Sequence, residues 1–150
     1  MILRSLPVIN YYGFDINHVY INYAKKKYIG KNFHFFCERL TKKRILKLPK
    51  FDCALLLGIA HHLNDKEFES ILNLIKISLK KNGRILILDN VLTKRQNFIS
   101  NFLIRNDKGD NIRELKEFRI ILNRFFKKIK YKIENQVFIP YTWLKIVCYK

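Results

Sequence analysis

Two short apolar runs on either side of an amphipathic helix pattern constrain the fold of this chain more than any other feature. Phe51–Gly58 is almost entirely apolar, and Arg84–Asp89 carries a second such run. Between them, apolar residues recur at the spacing of one helix face, at Phe68, Ile71, Leu72, Ile75 and Leu79. Continuous apolar strands separated by a helix are typical of a parallel sheet covered on both faces. The centre of the chain therefore predicts an α/β fold.

Local signals predict where this central helix begins and ends. Asn64 or Asp65 is expected to cap it, with Glu67 in the first turn. Lys80-Lys81 favours the negative end of the helix dipole, and Asn82-Gly83 is expected to end the helix through a left-handed residue.

The flanking segments continue the alternation of strand and helix. Val8–Ile16 predicts a first strand, Asn17 a helix cap, and Asn32–Cys37 a second strand. Near the C-terminus, an amphipathic helix is predicted within Arg113–Lys128. It is followed by strands at Tyr131–Ile139 and Thr142–Tyr149, whose short joint at Pro140 favours an antiparallel hairpin. Residues 90–111 form the least regular stretch. At 150 residues, the chain is expected to be a single domain over residues 1–150.

Composition narrows the class of partner. The formal net charge is +18, which raises the question of a nucleic-acid partner. That partner is not favoured, because the lysines are dispersed and residues with A/T-rich codons are abundant. No run approaches the roughly 18 apolar residues of a membrane span. Cys37, Cys53 and Cys148 lie in apolar segments and show no metal-ligand spacing, so they predict free, buried thiols in a reducing, cytoplasmic setting and no metal site.

Two groups of residues could carry chemistry. Asp15 lies at the C-terminal end of the first predicted strand, where a carboxylate can accept hydrogen bonds from both hydroxyls of a ribose. The alternative is that Asp15 only starts the next helix. Gly58 ends the apolar strand and allows close approach of a ligand, and His61 and His62 follow as candidate general bases. The alternative is that one histidine caps the next helix and the other packs against it.

The order of these motifs resembles class I S-adenosylmethionine-dependent methyltransferases of the small-molecule type. The resemblance is carried by Gly13-Phe14-Asp15-Ile16-Asn17, by the stretch from Phe51 to Leu63 with Ala60-His61-His62-Leu63, and by Lys80–Asp89. It implies a Rossmann-like methyltransferase sheet, mostly parallel, with a C-terminal antiparallel hairpin. It also implies S-adenosyl-L-methionine as cofactor and methyl transfer to a small molecule.

The resemblance also implies roles for single residues. Asp15 would hold the ribose hydroxyls, Ile16 would lie against the adenine, and Glu38 would receive the adenine amino group. Leu57 and Gly58 would line the cofactor floor. Trp143 stands where part of the family has a histidine, so no role transfers to it.

The chain departs from the family at its start. Members begin with a strand that runs into a glycine-rich loop, whose backbone N–H groups approach the cofactor. Met1–Tyr12 contains no glycine, so the first strand and the loop are expected to be missing and the activity of this chain is in doubt. One alternative is a non-catalytic relic that binds a partner through exposed strand edges or its basic surface. Another is a nucleic-acid methyltransferase.

Overall fold

The computed structural model describes residues 9–93, 111–135 and 142–150. The chain divides into two compact units, Met1–Thr41 and Lys42–Lys150, which we call the N-terminal and C-terminal units.

In its described part, residues 9–41, the N-terminal unit contains a pair of parallel strands and one helix. Strand β1 (Tyr11–Asp15) is followed by helix α1 (His18–Lys27) and strand β2 (Phe33–Cys37), and the two strands pair in parallel. The predicted helix cap is confirmed, because the side chain of Asn17 accepts a hydrogen bond of 2.9 Å from the Val19 N–H.

Aromatic side chains hold this small sheet together. Facing residues of β1 and β2 stack in two pairs, Tyr12 with His34 and Phe14 with Phe36, at ring-centroid distances of 4.5 and 5.0 Å. Gly13 lies opposite Phe35, and a Cβ atom at Gly13 would come within 2.9 Å of the Phe35 ring. A side chain at this position would therefore displace the ring from β1.

The C-terminal unit contains a four-stranded mixed sheet and the larger helices. In chain order its elements are α2 (Lys42–Ile45), β3 (Phe51–Leu57), a 3-10 turn (Ala60–His62), α3 (Asp65–Ser78), β4 (Leu79–Asn90), α4 (Leu115–Asn123), β5 (Lys128–Asn135) and β6 (Thr142–Tyr149). The strand order is β3-β4-β6-β5, with β3 and β4 parallel and the other two pairs antiparallel.

Most of the predicted strands are confirmed. The strands predicted within Phe51–Gly58, Arg84–Asp89 and Thr142–Tyr149 are present, and the C-terminal hairpin is antiparallel. Its joint at Pro140 and most of the irregular stretch after Asn90 lie outside the described residues. Across both units, the described strand pairs are divided equally between parallel and antiparallel, so the architecture is mixed rather than mostly parallel.

The predicted end of the central helix is wrong. Asn64 caps α3 in a capping box with Glu67, as expected, but α3 ends at Ser78 and β4 begins directly at Leu79. Gly83 lies inside β4 without a positive φ, and a Cβ there would come within 3.0 Å of the Leu79 Cβ. Leu79 is 1% exposed, so the small residue at position 83 leaves room for a core side chain. Lys80 also belongs to β4 and not to the end of the helix, and its ammonium forms an ion pair of 2.8 Å with the Asp52 carboxylate on β3.

One face of the four-stranded sheet carries the core. Phe68 of α3 and Phe118 of α4 meet edge to face at 5.9 Å and are both almost fully buried. The strand residues in the same cluster are Leu56, Ile85, Ile87, Leu144, Ile146 and Cys148. Cys148 is buried as predicted, and burial raises the pKa of its thiol to about 12. The same prediction is wrong for Cys37 and Cys53, which are exposed.

The expectation that Phe51–Gly58 is covered on both faces is also wrong for the described residues. Leu56 is 6% exposed, but its neighbours Leu55 and Leu57 are 38% and 53% exposed. Successive residues of a strand point to opposite faces, so β3 is buried on one face and open on the other.

Helix α4 offers a matched test of this core. We expect Phe118→Ala to lower the free energy of unfolding by about 3–5 kcal/mol, because it removes a buried ring and leaves a cavity. Ile120→Ala on the same helix is the control. Ile120 is 50% exposed, and we expect a change within about 0.5 kcal/mol. Urea denaturation followed by circular dichroism measures both, and equal losses would contradict the assigned core.

Candidate functional site

The candidate site of the C-terminal unit begins where β3 ends. Gly58 follows the strand with a φ of +60°, in the left-handed region that favours glycine, and its N–H donates to the Leu88 carbonyl at 2.8 Å. The chain then enters the 3-10 turn Ala60–His62. Because β3 and β4 are parallel, this turn and the residues that end β4 lie at the same edge of the sheet.

A buried histidine–carboxylate pair lies at this edge. Asp89, near the end of β4, is fully buried, and its Oδ1 lies 2.5 Å from Nδ1 of His61. Two backbone N–H groups also donate to the carboxylate, that of Ala60 to Oδ2 at 2.6 Å and that of Asn90 to Oδ1 at 2.8 Å. The carboxylate accepts hydrogen bonds from all of these neighbours. We therefore place a proton on Nδ1 of His61, which donates it to Asp89. Nε2 is then the basic nitrogen of the neutral ring.

Sequence reasoning identified His61 but missed Asp89. The available signal was the acidic residue at the end of the second apolar run, because parallel strands bring their carboxyl ends together. His62 differs from its neighbour. It is exposed, and its ring lies 4.0 Å from the ring of His61.

A second residue that sequence reasoning missed is Arg113, which is 4% exposed. Its guanidinium donates to the carbonyls of Ala60 and Leu63 at 2.7 and 2.6 Å, and it forms an ion pair with Asp65 at 2.8 Å. The carbonyl contacts lie on both sides of the turn that carries His61. No pattern in the sequence connects Arg113 to this turn.

The predicted adenosine contacts lie in the N-terminal unit. Asp15 ends β1 directly opposite Cys37 of β2, and Glu38 is the next residue, so both acidic groups follow neighbouring parallel strands at the same end. One oxygen of Asp15 accepts the Asn17 N–H at 2.8 Å, so the residue does help to start α1. An ionised carboxylate has about four acceptor positions, which leaves capacity for ribose hydroxyls. Ile16 is 72% exposed and offers an apolar surface to a planar ring. These groups fit the nucleoside end of an adenosine cofactor.

Other kinds of site receive no support from the described residues. Within residues 9–93, 111–135 and 142–150, no group of three or more His, Cys, Asp or Glu side chains could hold a metal ion. In the same ranges, no helix has both the length and the apolar character needed to cross a membrane.

Known structures share this fold over nearly the whole chain. Human N-acetylserotonin methyltransferase, solved with S-adenosylmethionine, matches 93% of this chain and 40% of its own length with a TM-score of 0.68 at 20% identity. The pyocyanin biosynthetic protein PhzM matches 99% of this chain and 46% of its own with a TM-score of 0.72 at 14% identity. The plantazolicin methyltransferase BpumL, solved with a substrate analogue and SAH, matches 98% of this chain and 70% of its own length with a TM-score of 0.67 at 16% identity. At these identities the likeness shows the methyltransferase fold alone.

Sequence comparison gives the family. O-methyltransferase 12 of Dictyostelium discoideum is 35% identical over 92 residues, which cover 61% of this chain and 24% of that protein. The chain thus spans about a quarter of the length of this relative. The O-methyltransferase domain family matches residues 1–123, and the chain belongs to that family.

Proposed function

We propose that this chain is part of an S-adenosylmethionine-dependent enzyme that methylates a hydroxyl oxygen of a small molecule, with His61 as general base. The observation that carries the proposal is the buried contact between His61 and Asp89 in a chain of the O-methyltransferase family. Three free cysteines fit a reducing compartment such as the cytoplasm.

The histidine–carboxylate pair suits the removal of a proton from a hydroxyl. A hydroxyl is a weak nucleophile until a base removes its proton, and positioned bases of this kind contribute about 10²–10⁴-fold in rate. Asp89 holds the ring through Nδ1 and stabilises the imidazolium that forms when Nε2 takes the proton. The three donors on Asp89 keep its carboxylate in place without solvent.

The cofactor proposal assigns separate tasks to the two units. Asp15 binds the ribose hydroxyls, Ile16 lies against the adenine and Glu38 receives the adenine amino group. In the C-terminal unit taken by itself, nothing lies within 4 Å of a Cβ built at Gly58, so a ligand has room beside the backbone that follows Leu57. When bound, S-adenosylmethionine supplies the electrophilic methyl group.

The two edges of the four-stranded sheet support the proposal that a further strand belongs beside β3. The β5 edge carries Lys128, Lys130 and Lys132 at alternate positions, which is a common protection against unwanted strand pairing. The β3 edge carries no lysine, and its one charged residue, Asp52, contacts Lys80 of β4. We therefore propose that the first strand and glycine-rich loop implied by the family resemblance belong beside β3.

A nucleic-acid acceptor has weaker support. Two lysines of the C-terminal hairpin, Lys132 and Lys145, contact the Glu134 carboxylate at 3.0 and 2.5 Å, which lowers the pKa of Glu134 and neutralises part of the basic surface. Lys128 lies over the Tyr149 ring at 5.2 Å. In the titration with S-adenosylmethionine described next, absence of binding by the longer polypeptide would favour the non-catalytic alternative.

Isothermal titration with S-adenosylmethionine tests the cofactor proposal. We expect the 150-residue chain to bind no more tightly than about 1 mM, because no glycine precedes Gly13 to form a glycine-rich loop of backbone donors. A longer polypeptide with an upstream strand and glycine-rich loop should bind in the micromolar range. In that polypeptide, Asp15→Asn should weaken binding by about 10- to 150-fold, the equivalent of one hydrogen bond to a charged group. Asp52→Asn is the control, since this exposed carboxylate contacts Lys80. Equal effects of the two substitutions would contradict the role of Asp15.

Substitution of the two histidines tests the general base. In the longer polypeptide, His61→Asn should lower kcat by about 10²–10⁴-fold, because the proton then has no positioned acceptor. His62→Asn should leave kcat close to that of the parent protein, since His62 is exposed. Formation of S-adenosylhomocysteine with a panel of small hydroxylated acceptors gives the rate. A larger loss in the His62 variant would sink the assignment.

A further inference from the structure

One short segment contacts both the turn that carries His61 and the chain that follows Asp89. The backbone N–H of Asn111 donates to the His61 carbonyl at 3.0 Å. Two residues later, the Arg113 carbonyl accepts the N–H of Leu92 at 3.2 Å, and Leu92 lies three residues after Asp89. Residues 111–113 therefore link the turn that carries His61 to the segment that follows Asp89.

The Arg113 side chain adds to this link from within the protein. Its Nη1 donates to the Ala60 carbonyl at 2.7 Å and its Nη2 to the Leu63 carbonyl at 2.6 Å. The Nε and Nη2 groups also donate to one oxygen of Asp65, at 3.0 and 2.8 Å. The guanidinium carbon lies 5.0 Å from the centre of the Phe68 ring, so the flat group rests on the core.

We infer that Arg113 is a positioning residue for the His61–Asp89 pair. The inference rests on the proposed role of His61 as base. A guanidinium offers five donors in a rigid plane, and here they reach the backbone on both sides of His61. The Ala60 contact matters most, because Ala60 also donates its own N–H to Asp89. Loss of the Arg113 contact frees the peptide units that hold the imidazole against the carboxylate.

Charge alone does not account for this arrangement. Asp65, the charged partner of Arg113, has a side chain that is 73% exposed, so that ion pair is partly screened by water. The carbonyls of Ala60 and Leu63 are neutral, and their contacts depend on the shape of the guanidinium. A lysine keeps the charge but has a single compact ammonium, which cannot reproduce the planar set of contacts. Arg113→Lys therefore separates geometry from charge.

Proton NMR of the full chain tests the inference without cofactor or acceptor. The readout is the Nδ1–H resonance of His61, which is protected from exchange with water while the imidazole donates to Asp89. We expect both Arg113→Gln and Arg113→Lys to accelerate this exchange by about tenfold, comparable to the loss of one buried hydrogen bond. Arg124→Gln is the matched control, because Arg124 makes an exposed ion pair with Glu69, and it should leave the exchange rate unchanged.

Circular dichroism decides whether each variant is folded. An unchanged exchange rate in a folded Arg113→Lys or Arg113→Gln variant would overturn the inference. If Arg113→Gln does not fold, Arg113→Lys decides alone. Because the readout does not involve methyl transfer, a failure here leaves the proposed base intact. A failure of the His61 kinetic test removes the catalytic purpose of the positioning but not the measured effect of Arg113 on Nδ1–H exchange.

Discussion

The site of the C-terminal unit depends on the hydrogen bonds that the buried carboxylate of Asp89 accepts. A charged group without solvent is costly unless donors surround it, and Asp89 receives three, from His61, Ala60 and Asn90. These bonds connect the end of β4 to the turn after β3. If any one of these donors is removed, the buried carboxylate is left incompletely hydrogen-bonded, which is energetically costly. The turn and the end of β4 therefore depend on each other.

The fold brings these groups together through the parallel pairing of β3 and β4. The register places Leu57 opposite Leu88, so both strands deliver their carboxyl ends to one edge. Gly58 then turns the chain with a backbone conformation that other residues rarely adopt, and Arg113 holds the far side of the turn. Three segments that are distant in sequence thus fix one histidine ring.

Periodicity and capping residues predicted much of the fold. The apolar runs of β3 and β4, the cap at Asn64 and the antiparallel hairpin follow from local patterns, and these predictions are confirmed. The dipeptide Asn82-Gly83 was misleading because it suits two situations. It can end a helix, or its glycine can lie in a strand where a neighbouring side chain leaves no room for a Cβ, and only the packing of Leu79 decides between them. Asp89 and Arg113 were missed because their partners are set by register and tertiary contact, which no local pattern encodes. The exposure of Leu55 likewise depends on what covers the sheet, not on β3 itself.

The proposed role of His61 depends on which of its ring nitrogens carries the proton, and ¹⁵N NMR measures this directly. If His61 donates from Nδ1 to the Asp89 carboxylate and also acts as a base, the ¹⁵N shifts of its neutral ring must show a protonated Nδ1 and an unprotonated Nε2. That tautomer presents the basic nitrogen needed to take a proton from a hydroxyl. A ring that carries its proton on Nε2, with Nδ1 bare, would contradict both the assigned hydrogen bond and the role of His61 as base.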